Sequence, residues 1–498
     1  MRQAALSAAR LALLASPAVL SFFSGGYFSE ARTWAGLGAW LLVIVGLLAE
    51  RKPLPSGLPA WLAIGALAAF AAWTLLSVTW APIAGSAYGY GQIAVLYTGV
   101  LLAAAILLKP RDICSLAEPA MAAGALIVIG YGLSERLVPG LLQFARSISA
   151  QGRLEQPLTY WNAMGEVAAL GFVLCAALAG SAKRPRALRA SAVAASVPLG
   201  VGLYISFSRG ALFACAAGLV TLFVLAPRRE QLQSGAIVLI AALVAILVAA
   251  PLHGFTSMSG SLSSRELEGA IVFVALALVA SAAAAAQLRV ASRGATAQLK
   301  LPRRSPAIAV AVIAAGLALA IVVGAKETST AKLGGGAARL GTLQSNRYDY
   351  WRVALKAFEA EPVRGVGAGG WAVYWLRDRN INDFAQDAHS LPLQTLAELG
   401  LVGIALLALF LGAIAAVAAR AHRFAPALAA GPAAAFAAYV AHAPLDWDWE
   451  MPAVTLIAII LAGALITISR PFAEDQSSSA IRGASRRKTQ TASTQTAT

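Results

Sequence analysis

The stretch LPAWLAIGALAAFAAWTLLSV, residues Leu58–Val78, runs for 21 residues without one charged side chain. An α-helix needs about 20 apolar residues to cross the hydrocarbon core of a bilayer, so this stretch predicts a membrane-spanning helix. Similar stretches recur along the 498-residue chain, at Thr33–Leu48, Gln92–Leu108, Ile308–Val323 and Pro392–Ala419. The sequence therefore predicts a protein that crosses a membrane many times.

Composition supports the same conclusion. Charged residues make up 12% of the chain, hydrophobic residues make up 59%, and the mean hydropathy is +0.71. About a quarter of a soluble domain is charged, and a single soluble core cannot bury so much apolar surface. We predict an all-α polytopic transmembrane bundle of 12 to 14 spans, with fourteen favoured, and a partly helical long extracytoplasmic loop. The predicted parts are the N-terminal bundle of about eleven spans (1–325), the long loop (326–390), the C-terminal transmembrane helices (391–470) and a disordered cytoplasmic tail (471–498).

The positive charges predict the orientation of the chain. The net charge is +16, but 24 of the 39 Lys and Arg residues fall in segments assigned to the cytoplasm, against six in short outside loops. Because short cytoplasmic loops are enriched in Lys and Arg, both termini are expected in the cytoplasm. The basic residues are thus explained as topology anchors, and no nucleic-acid partner is expected. The first apolar run, Ala4–Phe28, lacks a clear signal-peptide cleavage site and is interpreted as a retained helix.

The three cysteines indicate neither disulfide nor metal chemistry. Cys114, Cys175 and Cys215 lie in or beside apolar spans and form no CxxC pair. The sequence therefore gives no reason to expect a disulfide, a cysteine-ligated metal or a cofactor.

Five predicted outside loops carry the unusual polar residues, all on one side of the membrane. They are Trp80–Tyr90, Ser134–Tyr160, Ser206–Gly210, Lys326–Ser390 and Asp446–Glu450. Because chemistry at a membrane surface needs its groups on the same side, this grouping favours an outer-face site.

Arg209 is the only charged residue between Arg189 and Arg228, at the predicted outer junction of two helices. An arginine facing hydrocarbon costs about 3 kcal/mol, so this side chain should face protein or water. It is either a snorkelling interfacial residue or a guanidinium fork for an anionic ligand such as phosphate. Ser208 and Gly210 on either side allow close backbone approach and favour ligand binding.

The long loop is predicted to hold a helix. Ser345 or Asn346 can cap a helix that stops before Pro362. Arg347 in its first turn opposes the helix dipole, which is either a functional sign or simply a solvated surface cation. Trp351 lies one turn further on, and Arg364 opens a glycine-rich turn that does not match a phosphate-binding loop.

Further candidates lie where the chain re-enters the membrane. His389 is placed at the water–lipid boundary, where an imidazole can exchange protons. Glu398 is expected to be buried and to need a partner, for which His389 or Arg209 is available. Asp446 and Asp448 alternate with tryptophans and are expected to order the cationic groups or bind sugar hydroxyls; a metal site there is not indicated by the spacing.

These motifs together resemble the O-antigen ligase and polymerase family of bacterial membrane glycosyltransferases. The resemblance covers roughly Val193–Ile414, and its features are the turn Ser208-Arg209-Gly210, the helix from Arg347 to Trp351 before Pro362 and Gly365-x-Gly367, and His389-Ser390 followed by Glu398-Leu399-Gly400. Gly152-Arg153-Leu154 with Tyr160-Trp161-Asn162 resembles an upstream segment of the family. Twelve spans are usual in the family, fewer than the fourteen favoured here.

The resemblance implies transfer of a glycan from a polyprenyl (undecaprenyl) diphosphate carrier to an acceptor hydroxyl, on the outer face of the bacterial cytoplasmic (inner) membrane. It implies that Arg209 and Arg347 hold the diphosphate and that His389 acts on the acceptor hydroxyl. The residues expected to bind substrate are Arg153, Tyr160, Asn162, Trp351, Arg364, Glu398, Asp446 and Asp448. The expected partners are the lipid-linked donor, a glycan, lipid or protein acceptor, and membrane lipids, as in the biosynthesis of lipopolysaccharide and other cell-envelope polysaccharides.

The residue types suit this chemistry independently of the family. Two arginines can neutralise the charge that develops on a departing diphosphate, so the transfer is expected to be metal-independent. A neutral imidazole can accept the proton of the attacking hydroxyl. A ligase, a polysaccharide polymerase and a protein O-oligosaccharyltransferase all remain open. A secondary transporter or a non-catalytic assembly protein is the alternative from another class, but no internal repeat of the transporter kind is visible.

Overall fold

A computed structural model describes residues 1–51, 53–109, 111–292, 298–300, 302, 304–324, 336–341 and 345–470. The predicted tail 471–498 and residues 326–335 of the predicted loop lie outside the described residues. Within the described part no strand forms, apart from an isolated bridge between Arg228 and Gln298.

The described helices follow the apolar stretches of the sequence. The first nine are α1 (Arg2–Ser21), α2 (Ser29–Ala49), α3 (Leu58–Leu76), α4 (Ala84–Leu107), the short α5 (Arg111–Cys114), α6 (Ala117–Leu137), α7 (Trp161–Gly180), α8 (Arg186–Ile205) and α9 (Arg209–Leu225). The others are α10 (Arg229–Ala249), the short α11 (His253–Thr256), α12 (Leu262–Ser292), α13 (Ser305–Gly324), α14 (Arg347–Ala360), α15 (Trp371–Asp378), α16 (Leu391–Phe424), α17 (Pro426–His442) and α18 (Pro452–Ile468).

Ten of the described helices are long and apolar enough to cross a membrane: α1, α2, α3, α4, α6, α7, α8, α10, α12 and α16. Shorter apolar helices are Arg209–Leu225, Ala307–Gly316 and Pro452–Ile468. This architecture confirms the predicted all-α polytopic bundle. In the predicted long loop, α14 ends at Ala360 before Pro362, and α15 follows.

Helix α7 forms the centre of the bundle. All its residues after Trp161 are buried, whereas only 17% of the most apolar stretch of α2 and of α12 is buried. Small residues allow this enclosure: Gly165 of α7 lies against Ser206, Ser208 and Ala211, so that the turn before α9 packs directly onto it. The central helix thereby carries its first residues to the end of the bundle that holds the Ser208–Gly210 turn.

Helix α16 is broken near its N-terminal end. Gly400 has φ 64° and ψ −159°, a conformation essentially restricted to glycine. The break frees the carbonyls of Ala397 and Glu398 from their helical partners. These carbonyls instead accept from the N–H groups of Val366 and Gly367, at 3.0 and 2.8 Å. A segment of the long loop therefore replaces one turn of helical hydrogen bonding.

The N–H groups on the other side of the break are satisfied in the same way. Leu401 donates to the carbonyl of Pro362 at 2.9 Å, and Val402 donates to that of Val363 at 3.3 Å. Unsatisfied backbone groups at membrane depth are costly, so irregular backbone persists there only when protein supplies partners. The Gly365-x-Gly367 turn and the Glu398-Leu399-Gly400 motif are thus two halves of one backbone joint, which anchors the long loop to the bundle.

We expect Gly400→Ala to lower stability by about 1–3 kcal/mol, because a side chain disfavours this backbone conformation and would meet the backbone of Val363. The matched control is Gly412→Ala in the same helix, where an added methyl group meets no atom within 4 Å. Thermal unfolding of the purified protein in detergent measures both. A Gly400→Ala protein that unfolds at or above the wild-type temperature would contradict the proposed role of the joint.

Candidate active site

Asp446 lies at the centre of a polar cluster beyond the end of α17. Its side chain is fully buried and forms an ion pair with Arg347 of α14, with 2.6 Å between Oδ2 and Nη2. The other oxygen accepts a hydrogen bond from the Tyr160 hydroxyl at 2.7 Å and from the backbone N–H of Trp447 at 3.0 Å. The Asn162 side chain donates to the Tyr160 hydroxyl at 2.7 Å. Four sequence candidates from three parts of the chain thus form one hydrogen-bonded chain.

Neighbouring positive charges keep the Asp446 carboxylate ionised. Burial raises the pKa of Asp446, but Arg347, His389 and His442 together hold that pKa below its usual value. Burial likewise lowers the pKa of Arg347, and Asp446 more than offsets this effect. The Arg347 side chain keeps 20% of its surface exposed. Since a guanidinium has five N–H donors, Arg347 can hold Asp446 and a second anion together.

His389 lies beside the same cluster. Its ring centroid is 5.1 Å from that of Tyr350 and 6.0 Å from that of Trp447, the neighbour of Asp446. The backbone at His389 has a positive φ of 52°, which is uncommon outside glycine and indicates a position fixed by its surroundings. A hydrogen bond from the Leu391 N–H to the Ala443 carbonyl, at 2.8 Å, ties this turn to the segment that carries Asp446.

The hydrogen bonding of His389 defines its tautomer. Nδ1 lies 2.9 Å from the carbonyl oxygen of Asp387, which can only accept. In the neutral imidazole the proton therefore sits on Nδ1, and Nε2 retains a lone pair that can accept a proton. Burial lowers the pKa of His389, an effect that Asp446 opposes without reversing it. The structure thus presents a neutral base at neutral pH.

Arg209 is the first residue of α9, at the same end of the bundle. The preceding residue, Ser208, caps the helix by accepting a hydrogen bond from the Ala211 N–H at 3.3 Å. The following residue, Gly210, lies so close to His442 and Leu445 that an added Cβ would be 2.8 Å from His442 Nε2. The backbone of Arg209 is therefore held against the segment that leads to Asp446.

Sequence reasoning gave His442 no role, although it lies one turn before Asp446. The structure places it, fully buried, in a hydrogen bond with Asp448 and 3.8 Å from the Glu166 carboxylate of α7. Asp448 thus faces this inner cluster. Burial, opposed by His442, raises the pKa of Asp448. In the sequence, the indication of this cluster is that three polar residues, His442, Asp446 and Asp448, lie close together at the end of an apolar span.

The other sequence candidates lie around this centre. The Arg153 guanidinium lies 3.6 Å above the Trp161 ring and donates to the carbonyls of Ser149 and Ala150. Trp351 packs against Tyr348, with ring centroids 5.4 Å apart.

Two candidates lie at the backbone joint instead. Glu398 was expected to pair with His389 or Arg209, but its carboxylate accepts a hydrogen bond from the Trp371 N–H at the start of α15, at 3.3 Å. Arg364 is half exposed and pairs with Glu361 at 3.3 Å. The geometry connects both residues to the anchoring of the long loop.

Comparison with known proteins agrees with the predicted family. Residues 269–408 match the family model described as O-antigen ligase. The matched region contains Arg347, His389 and the backbone joint, whereas Arg209 and Asp446 lie outside it. No curated protein matches the chain. The resemblance predicted from the motifs is therefore confirmed over residues 269–408, and the chain is a multi-pass membrane protein that carries a region similar to the O-antigen ligase family.

Proposed function

We propose that this protein is a metal-independent glycosyltransferase that moves a glycan from a polyprenyl diphosphate carrier to an acceptor hydroxyl. The observation that supports it best is the common cluster of Arg347, Asp446 and His389, in which a partly exposed cation lies near a neutral imidazole. The proposed location is the outer face of the bacterial inner membrane, with both termini in the cytoplasm. The 24 basic residues in the predicted cytoplasmic segments, against six in short outside loops, support this orientation.

Arginine side chains suit the donor. Breaking the anomeric C–O bond leaves additional negative charge on the diphosphate, and guanidinium groups bind such oxygens through paired hydrogen bonds without losing their own charge. Asp446 holds the Arg347 guanidinium by an ion pair, and one fifth of the Arg347 side chain stays exposed. We assign the second cation to Arg209, whose helix start adjoins Leu445. Together the two would take the role that a divalent metal has in other glycosyltransferases.

His389 suits the acceptor. In the proposed step the acceptor oxygen attacks the anomeric carbon, the C–O bond to the diphosphate breaks, and the hydroxyl proton passes to Nε2 of His389. The bond between Nδ1 and the Asp387 carbonyl holds the ring in the required tautomer. Tyr350 and Trp447, both near the imidazole, offer aromatic surface for the sugar rings. A single displacement of this kind inverts the anomeric centre.

A ligase, a polymerase and a protein O-oligosaccharyltransferase would share this donor chemistry and differ in their acceptors. The secondary transporter is less well supported, because its polar groups would be expected along a path through the bilayer. Here Arg347, Asp446 and His389 gather beyond the ends of the spanning helices.

The main test is transfer by the purified full chain from a polyprenyl-diphosphate oligosaccharide to candidate acceptors, with and without EDTA. We expect transfer to survive EDTA and to fall about 10²–10⁴-fold in His389→Ala, the range for loss of a general base. Arg209→Ala and Arg347→Lys should also be strongly impaired, the latter because lysine keeps the charge but loses the fork.

Arg352→Gln is the matched control, since it removes an exposed cation from the same helix as Arg347. In sealed vesicles, transfer should require a membrane-impermeant acceptor on the extracytoplasmic side. Full activity in His389→Ala, or loss of activity with EDTA that added metal restores, would refute the mechanism.

The pH profile provides a second prediction. His389 must be neutral to accept a proton, and burial holds its pKa below the ordinary value of 6.5. Activity should therefore stay constant from pH 8 to about 6.5 and fall only at lower pH, as the imidazole becomes protonated. His389→Gln should remove this acid limb from its residual rate. An acid limb that begins above pH 7, or persists unchanged in His389→Gln, would contradict the assignment.

A further inference from the structure

A cavity adjoins the candidate active site. It has a volume of about 400 Å³ and lies between the outer ends of α2 and α4, closed on one side by α15 and residues 384–386. This volume falls within the range of about 300–1,000 Å³ that is usual for small-molecule sites. None of Arg347, Asp446 and His389 lines the cavity.

A thin wall of side chains separates the cavity from His389. Tyr27 lines the cavity and packs edge-to-face on Trp447 at 5.3 Å, and the same Trp447 ring faces His389 on the site side. The Tyr27 hydroxyl donates to Gln386 at 2.9 Å, three residues before His389 in the chain. The turn that carries the proposed base thus borders the cavity, and a molecule bound there would lie next to the reacting groups.

The rim of the cavity is apolar and exposed. Phe28, Ile83, Leu376 and Phe384 line it with 46–74% of their surface exposed. Helix α2, which forms one wall, is the least enclosed span together with α12. A cavity whose open edge is apolar and adjoins a lipid-facing helix suits a ligand that enters from the bilayer.

A single cation lines the interior. Among the lining residues Arg32 is the only Lys or Arg, and its Nε is buried without a hydrogen-bond partner. Its Nη1 makes only a long contact of 3.4 Å with the Tyr27 carbonyl. The one carboxylate among the described lining residues, Glu450, has a pKa well above its usual value because of burial and the neighbouring Asp387 and Glu398, which disfavours its charged form. The interior therefore offers a guanidinium to an incoming anion.

We propose that this cavity is the acceptor site, and that the acceptor is a membrane lipid whose head group carries a phosphate bound by Arg32. The inference rests on the proposed function, because it supplies the second substrate of that transfer. Donor and acceptor then approach His389 from opposite sides of Trp447. A lipid-borne acceptor fits a ligase or a polymerase and disfavours a protein acceptor.

Isothermal titration of the detergent-solubilised full chain tests the site with four probes: dioctanoyl phosphatidic acid, dioctanoylglycerol, inorganic phosphate and farnesyl diphosphate. Phosphatidic acid should bind, and Arg32→Gln should weaken that binding about tenfold or more, the usual effect of losing a charge-assisted hydrogen bond. Arg352→Gln, which removes an exposed cation on the same side of the membrane, should leave it unchanged.

A second variant keeps the test valid even if Arg32→Gln misfolds. Gly85 lines the cavity, and a Cβ added there meets no atom within 4 Å, so Gly85→Phe should fill the cavity without altering its charge. It should also weaken phosphatidic acid binding. Unchanged binding in both variants would refute the site.

The other probes separate the possible anions and the two proposals. If dioctanoylglycerol binds as tightly as phosphatidic acid, the phosphate has no role in binding. If inorganic phosphate binds as tightly as phosphatidic acid, the ligand is not a lipid. Farnesyl diphosphate should bind independently of Arg32 and be weakened by Arg347→Gln. If Arg32→Gln weakens both lipid ligands equally, the cavity belongs to the donor site and the acceptor proposal is wrong. If farnesyl diphosphate does not bind but phosphatidic acid still binds in an Arg32-dependent way, the proposed donor site is refuted and the lipid phosphate site is supported.

Discussion

The ion pair between Arg347 and Asp446 joins residues 99 positions apart and ties the long loop to the turn between α17 and α18. Removing one member of a buried pair typically costs about 3–5 kcal/mol, because the remaining charge loses its partner. The pair also connects to Tyr160 at the start of α7, the central helix. Three separate segments of the chain are therefore held around one carboxylate, and the position of His389 depends on the same assembly.

The broken helix α16 complements this ion pair. The chain satisfies the backbone groups freed at Gly400 with backbone groups from residues 362–367, so the long loop is anchored by main-chain hydrogen bonds at one point and by charge at another. Two attachment points restrict the loop more than one would. Because the long loop is already ordered, Arg347 and His389 can act on a charged substrate without a further loss of conformational entropy. This arrangement explains why motifs without catalytic side chains, such as Gly365-x-Gly367, accompany the candidate catalytic residues.

Apolar periodicity and length were sufficient to predict the membrane bundle from the sequence, because the bilayer imposes helices of defined length. The grouping of unusual residues on one side identified Arg347, His389 and Asp446 as candidates, but the hydrogen-bonded chain from Asn162 to Arg347 required the three-dimensional arrangement. Glu398 illustrates the limit. A buried carboxylate was expected to need a cationic partner, yet a backbone N–H serves it, and backbone partners leave no residue pattern. The cluster of His442, Asp448 and Glu166 was missed for a related reason, since Glu166 is nearly three hundred positions away in the chain.

The central claim is that a polyprenyl diphosphate is held by Arg347 beside His389 at the outer end of the bundle. A cryo-EM structure of the full chain in lipid nanodiscs with bound polyprenyl diphosphate tests it most directly. We expect diphosphate density within hydrogen-bonding distance of the Arg347 guanidinium, with the terminal phosphate, which carries the glycan in the donor, on the side of His389. Diphosphate density at the opposite end of the bundle, or in contact with Arg32 and remote from Arg347, would contradict it.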